Sequence, residues 1–462
     1  MSAASRTASP LGWLGIVRLG LVQAALGAIV VLATSTDNRV MVVELGLPAM
    51  LPGALVALHY GIQILRPRLG YGSDLGQRRT PWIIGGMAVL ALGGLLAAVA
   101  TAAMAAHPAL GIATAVAAFI MVGVGVGACG TSLLTLLAKR VAPARRGAAA
   151  TLVWVMMIAG IAITATAAGR ALDPFSPARL VTVTAVVVGV AWLLTVLAVW
   201  GVEGAAIAEP ATALAPAAQT PFLQALQEIW AEAQARRFAI FVFVSMFAYS
   251  AQELILEPFV GAVFHLTPGA STGLTGLQHG GVLCGMVLVA VATGVFGGKA
   301  GALRSWTIGG CLGSALAILA VAATAHAHLT DLVRPAVFAL GAANGAFTVS
   351  AIGAMMGLAH SGRGQREGTR MGLWGAAQAI AFGLGGLVGS SASDLARLLL
   401  GSPAAAYTAV FIAEALLFLL AAHQARHVFA TSVMTPSQPP GDSASAVSWR
   451  PEEPSYAAYR NV

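Results

Sequence analysis

The sequence predicts an all-α polytopic membrane protein with twelve transmembrane helices in two six-helix halves. Three observations carry that prediction. Only 9% of the 462 residues are charged while 58% are hydrophobic, against roughly 25% charged in soluble domains. Twelve apolar stretches come close to or exceed the ~20 residues an α-helix needs to cross a bilayer. Short motifs of the first half also return in the second at an offset of about 220 residues.

In chain order the predicted spans are 16–36, 47–65, 82–104, 109–137, 148–169, 180–202, 238–264, 272–296, 304–325, 332–358, 371–392 and 403–425. Glycines at 123, 127 and 130 give span four a small-residue face, and those at 383, 385, 386 and 389 do the same for span eleven. Such faces let helix backbones approach closely in lipid. Cys129, Cys284 and Cys311 lie in apolar segments without pairing or metal spacing, which reads as core packing. The N-terminus shows no cleavable signal pattern, because the first apolar segment is long and carries Arg18 and Gln23.

Orientation follows from the basic residues. Loops 2–3, 4–5, 6–7, 8–9 and 10–11 hold fifteen of the 25 Lys and Arg, among them Arg66, Arg78, Arg79, Arg140, Arg237 and Arg370. The opposite loops and span ends hold five: Arg39, Arg170, Arg179, Arg334 and Arg397. That asymmetry predicts both termini in the cytoplasm. It also accounts for the net charge of +8 without a nucleic-acid partner.

The halves echo each other. Trp82-Ile-Ile-Gly-Gly opens span three and Trp306-Thr-Ile-Gly-Gly opens span nine; Arg146-Gly147 precedes Trp154, and Arg366-Glu-Gly368 precedes Trp374. The predicted organisation is a cytoplasmic N-terminus 1–15, a first half 16–202, a linker 203–237, a second half 238–427 and a disordered cytoplasmic tail 428–462. The linker is broken by Pro210, Pro216 and Pro221. Then Phe222, Leu226, Ile229, Trp230 and Ala233 recur at helical spacing opposite Gln224, Gln227, Glu228 and Glu232. That pattern predicts an amphipathic helix on the cytoplasmic interface, either a connector or a docking surface. The tail is rich in proline and serine and cannot bury a core.

Loop 2–3 reads Gly70-Tyr-Gly-Ser-Asp74-Leu-Gly76-Gln-Arg78-Arg79. It resembles the signature of the major facilitator proteins, a structural and gating element in which glycines permit the turn and Asp74 caps a helix or pairs with an arginine. With twelve spans in parallel repeats, the expected architecture is the major facilitator fold. The second glycine stands at Gly76, one place earlier than the usual pattern, with Gln77 in its place.

Residues suited to chemistry concentrate on span seven. Gln252, Glu253 and Glu257 lie inside an apolar run, followed by Pro258. A carboxylate within a bilayer costs several kcal/mol unless it is protonated, paired or facing a polar cavity. Glu253 and Glu257 share a helical face. Counting ~1.5 Å per residue from Phe238 puts them about 22 and 28 Å along the helix, in its outer part. Pro258 removes a backbone donor, frees a carbonyl one turn back and is expected to kink the helix. Proton relay, cation binding and magnesium ligation all suit this set; alternatively, Glu257 lies in the headgroup region or pairs with Arg39 or Arg334. On span eight, Gln278-His279-Gly280-Gly281 offers an imidazole, a good metal ligand, beside glycines that leave room for a large flat ligand. The competing role for His279 is that of a hydrogen-bonded packing residue. His59 on span two, Gln378 on span eleven and Glu414 on span twelve are further buried polar candidates, and Asp37, Asn38, Arg39 and Glu44 form a polar cluster after span one. The chain shows no phosphate loop, nucleophile elbow, zinc motif or dinucleotide fingerprint, so it reads as no enzyme.

Four stretches carry a closer resemblance: Leu32-Ala-Thr-Ser-Thr-Asp-Asn38-Arg39-Val-Met-Val-Val-Glu44-Leu-Gly-Leu-Pro48, Gln252-Glu253-Leu-Ile-Leu-Glu257-Pro258-Phe259, Gln278-His279-Gly280-Gly281, and Arg366-Glu-Gly-Thr-Arg370-Met-Gly-Leu-Trp374-Gly-Ala-Ala-Gln378-Ala. Together, from Trp13 to Phe429, the chain resembles the PucC and LhaA family, the bacteriochlorophyll-delivery branch of the major facilitator superfamily. The short N-terminus and the form of loop 2–3 depart from the PucC and LhaA branches, which points to a third branch, similar to members encoded with late bacteriochlorophyll-synthesis enzymes. The resemblance implies a non-catalytic factor in a bacterial cytoplasmic or intracytoplasmic membrane. Its cargo would be bacteriochlorophyll and its partners antenna polypeptides and pigment-synthesis enzymes, with lipid around it. The chemistry is compatible with such a cargo, because His279, Gln252, Glu253 or Glu257 could supply the one axial ligand that the pigment magnesium takes. Two other functions fit the residues alone: a proton-coupled transporter of a small solute, and a scaffold for synthesis enzymes.

Overall fold

The computed structural model describes residues 11–63, 78–142, 145–203, 227, 230–295, 300–326, 330–361 and 367–430. Among these, all regular structure is helical. The helices are α1 (Trp13–Glu44), α2 (Met50–Ile62), α3 (Thr80–Met104), α4 (Pro108–Arg140), α5 (Arg146–Leu172) and α6 (Pro177–Val199), then α7 (Ala233–Phe264), α8 (Pro268–Val295), α9 (Ala300–His326), α10 (Thr330–Ser361), α11 (Glu367–Leu400) and α12 (Pro403–Ala430). They fall where the twelve spans were expected, in two six-helix halves of major facilitator type. Eleven are long and apolar enough to cross a membrane. The exception is α2, whose 13 residues reach only about 20 Å.

Several helices overrun their apolar windows. α7 begins at Ala233 rather than at 238, taking in Arg236 and Arg237, and α11 runs from Glu367 to Leu400. The backbone keeps its hydrogen bonds beyond the hydrocarbon, where polar side chains meet water. α1 departs from a regular α-helix. π-helical segments at Leu32–Thr36 and Val40–Glu44 flank Asp37–Arg39, and such bulges re-aim side chains and cluster at functional sites. α7 runs unbroken through Pro258.

The two halves pack alike. α3 lies on α4 and α6, as α9 lies on α10 and α12; α1 lies on α5 and α6, as α7 lies on α11 and α12. Between the halves, α5 packs on α8 and α2 on α11. Close approach rests on missing side chains. A Cβ on Gly310 of α9 would come within 2.6 Å of the Phe347 backbone on α10, and one on Gly389 of α11 within 2.8 Å of Ala251 on α7. Each half has its own core. Phe238, Phe259, Phe347, Trp374, Phe411 and Phe418 anchor the second, and Ile16, Leu19, Met87, Leu133 and Val199 are prominent in the first.

Gly70, Asp74 and Gly76, the linker residues 204–226 and 228–229, and the tail from 431 lie outside the described residues.

Candidate functional site

The site is built on α7. Proline has no N–H to give, so the carbonyl one turn before Pro258, that of Leu254, has no donor within the helix. Asn38 of α1 supplies it: its Nδ2 donates to Leu254 O at 2.6 Å. α7 ends at His265, whose backbone is left-handed at φ 55°. The next carbonyl, Leu266 O, accepts from Arg39 Nη2, while Arg39 Nη1 pairs with Glu44. Gly261 lets the guanidinium lie against the helix, since a Cβ there would sit 3.1 Å from Nη2. The polar cluster of span one is thus partly self-paired and partly a seam to the second half.

The three acidic and amide candidates have different surroundings. Gln252 is fully buried in the second half: its Oε1 accepts from Asn344 Nδ2 at 3.3 Å, and Asn344 Oδ1 accepts from Ser314 at 2.7 Å. Its Nε2 has no hydrogen-bond partner. Glu257 is buried and accepts from the Thr275 hydroxyl and, at 3.5 Å, from that of Thr272. Thr272 in turn lies 3.1 Å from Thr36 of α1. A hydroxyl has one proton, so the consistent direction is Thr36 donating to Thr272 and Thr272 to Glu257. Glu257 is thus held by α8 hydroxyls, with the Arg39 charge acting on it as well.

Glu253 is the one of the three that reaches solvent, at 23% exposure, and its Oε1 lies 3.6 Å from His279 Nε2. His279 itself is buried, with Nδ1 3.0 Å from Thr275 O. A carbonyl can only accept, so Nδ1 carries a ring proton, which leaves Nε2 facing Glu253. Nε2 can hold a proton or bind a metal ion, and not both. The two glycines after His279 differ. Nothing lies within 4 Å of where a Cβ on Gly280 would be, whereas Gly281 is filled by the α10 backbone at Phe338 and Ala342. Of the two, only Gly280 has open space beside it.

The remaining sequence candidates sit elsewhere. His59 is buried on α2, with Nε2 3.0 Å from Gln63 Nε2 and its ring edge-on to Tyr60. Tyr60 leads across the inter-half seam to Phe382 and on to Tyr249, at centroid distances of 5.3 and 5.8 Å. Gln378 is half-buried on α11. Glu414 is buried with no hydrogen-bond partner for either oxygen. Arg78 is exposed, while Arg79 is buried and its N–H donates to Glu203 Oε1.

Sequence reasoning missed Glu203. Its other oxygen accepts from Thr80 N at 2.9 Å, and its carbonyl accepts from Arg140. Burial pushes this carboxyl up, but the Arg79 and Thr80 N–H groups, the Thr80 hydroxyl and the Arg79 charge outweigh burial and hold it below the ordinary glutamate value. Also missed were Thr36, Thr272, Thr275 and Asn344, because a hydroxyl or amide in a membrane helix usually bonds its own backbone.

Comparison with known proteins places these features in context. The chain is 55% identical to the bacteriochlorophyll synthase 44.5 kDa chain of Rhodobacter capsulatus, over 91% of this chain and 96% of that protein. It is 29% identical to protein PucC of the same organism, over 88% and 90%. Among solved structures it superposes on a bacterial homologue of the human lysosomal transporter Spinster, inward-facing and unoccupied. The TM-score is 0.67, with 14% identity, 91% of this chain covered and 97% of that one; this shows the fold. The model of the PUCC protein family matches residues 36–433, and the chain is a member of that family.

Proposed function

We propose that this multi-pass membrane protein is a non-catalytic carrier that binds bacteriochlorophyll and delivers it to antenna polypeptides, in association with pigment-synthesis enzymes. It would sit in a bacterial photosynthetic membrane with both termini in the cytoplasm. The observation that carries the reading is the Glu253–His279 pair beside the open side of Gly280. A chlorin magnesium takes one axial ligand. An imidazole Nε2 lone pair or a carboxylate oxygen suits that role, and Glu253 makes the pair accessible. Glu257 and Gln252 are already engaged with neighbouring side chains. Membership of the PUCC family and the name of the relative from Rhodobacter capsulatus support the pigment as cargo.

The test is purification in mild detergent from a pigment-making host, followed by near-infrared absorption. About one pigment per chain is expected. His279→Ala lowers retention on the order of tenfold, the scale on which metal sites respond to lost partners, and Glu257→Gln leaves it unchanged. A colourless protein at every preparation would overturn the reading.

One observation favours a second reading, proton-coupled transport. Glu253, His279, Thr275, Glu257, Thr272 and Thr36 follow one another within contact distance. Solute uptake into liposomes driven by a pH gradient, and lost in Glu257→Gln, would favour it.

A further inference from the structure

The two halves are joined on the face opposite the start of α1 and the end of α12 by contacts that repeat one another. Asp394, near the end of α11, accepts from Ala49 N at 2.9 Å and from Met50 N at 2.8 Å, one bond on each oxygen. Asp173, just after α5, accepts from the Thr267 hydroxyl at 2.8 Å and from Gly269 N at 3.3 Å. Each carboxylate therefore sits at the start of a helix in the other half, α2 for Asp394 and α8 for Asp173. The first N–H groups of a helix have no intrahelical partner and carry partial positive charge, so a carboxylate satisfies both needs. α2 has no side-chain cap of its own; its cap comes from the other half.

The arms are related by the internal repeat. Asp173 and Asp394 are 221 positions apart, and the residues they hold, Ala49 and Gly269, are 220 apart. The helix crossings beneath them repeat too. A Cβ on Gly53 of α2 would sit 2.9 Å from Ser390 of α11, and one on Gly169 of α5 would sit 2.6 Å from Gly273 N of α8. These pairs are again separated by 220 and 221 positions. The Thr36–Thr272 and Asn38–Leu254 bonds tie α1 to the second half on the same seam. Asp173 is exposed and Asp394 half-exposed, so water can replace either arm.

We propose that Asp173 and Asp394 form a reciprocal clasp that holds this face of the molecule shut and sets how often it opens. Opening breaks both arms, so losing either one raises the open population and losing both raises it most. The inference concerns the conformational equilibrium and stands whether or not the pigment reading does.

The test measures distance across that face. Cysteines replace Ala106, in the exposed turn between α3 and α4, and Asp331, at the exposed start of α10, in a full-length chain with Cys129, Cys284 and Cys311 changed to Ala. Spin labels at the two sites report the separation by double electron–electron resonance. The parent is expected to give one short-distance population. The D173A/D394A double variant should gain a longer-distance population several-fold larger than in either single variant. Thr267→Val, which removes a donor and leaves both carboxylates, should shift in the same direction by less. A double variant that runs as a monodisperse species in gel filtration with the parent's distances would overturn the clasp. If the double variant does not fold, parental distances in both single variants and in Thr267→Val would overturn it equally.

Discussion

Asn38 reaches into the second half because Pro258 leaves a carbonyl without a donor, and the two residues form one device. Truncating Asn38 strands a buried carbonyl, which costs about 1–3 kcal/mol; restoring an N–H at 258 removes the need for Asn38. In a double-mutant cycle read by thermal unfolding, Asn38→Leu should lower the melting temperature by several degrees, and less in a Pro258→Ala background. Additive effects would show that the two residues act separately. Half of this device was legible in the sequence: a proline inside a membrane helix frees the carbonyl four places back, and Asn38 stood in a visibly polar stretch. Its destination was not, since Asn38 and Leu254 are 216 positions apart and no local pattern encodes that meeting. The same holds for Glu253 and His279. Their types and spans were readable, but the ring's tautomer depends on the carbonyl of Thr275 and the access depends on Gly280.

At the scale of elements, Glu203 gathers the end of α6, the start of α3 and the end of α4. Because its folded-state value lies below the ordinary 4.5, its ionised form stabilises the fold above that pH. The contribution is lost as pH falls through the lower, folded-state value. Melting temperatures recorded from pH 7 down to pH 3 should therefore fall on acidification, and by less in Glu203→Gln, which has no charge to lose. An equal fall in both proteins would remove Glu203 from the account. Sequence reading passed over this residue because a carboxylate after a span ordinarily faces headgroups. It also expected a span at 47–65 where the described helix is short: Gly46 takes a left-handed φ of 63° and Pro48 follows, so the chain turns out of α1 before α2 can begin.

For the whole molecule, hydrophobicity made the architecture legible. Every span must satisfy its own backbone in lipid, so apolar length alone marks the helices, and the repeat pairs them. Orientation rests on the basic loops. An impermeant thiol reagent applied to intact spheroplasts should label Ala106→Cys and spare Arg78→Cys; the reverse pattern would invert the topology. What composition does not encode is which polar groups meet between the halves, because those meetings depend on the halves' final arrangement.

The cap on α2 also has a consequence for synthesis. Ala49 and Asp394 are separated by 345 positions, so the ribosome delivers the acceptor long after the donors have emerged. Until α11 is in the membrane, the start of α2 has only water or headgroups to bond. A chain cut short before Asp394 leaves the Ala49 and Met50 N–H groups without this acceptor.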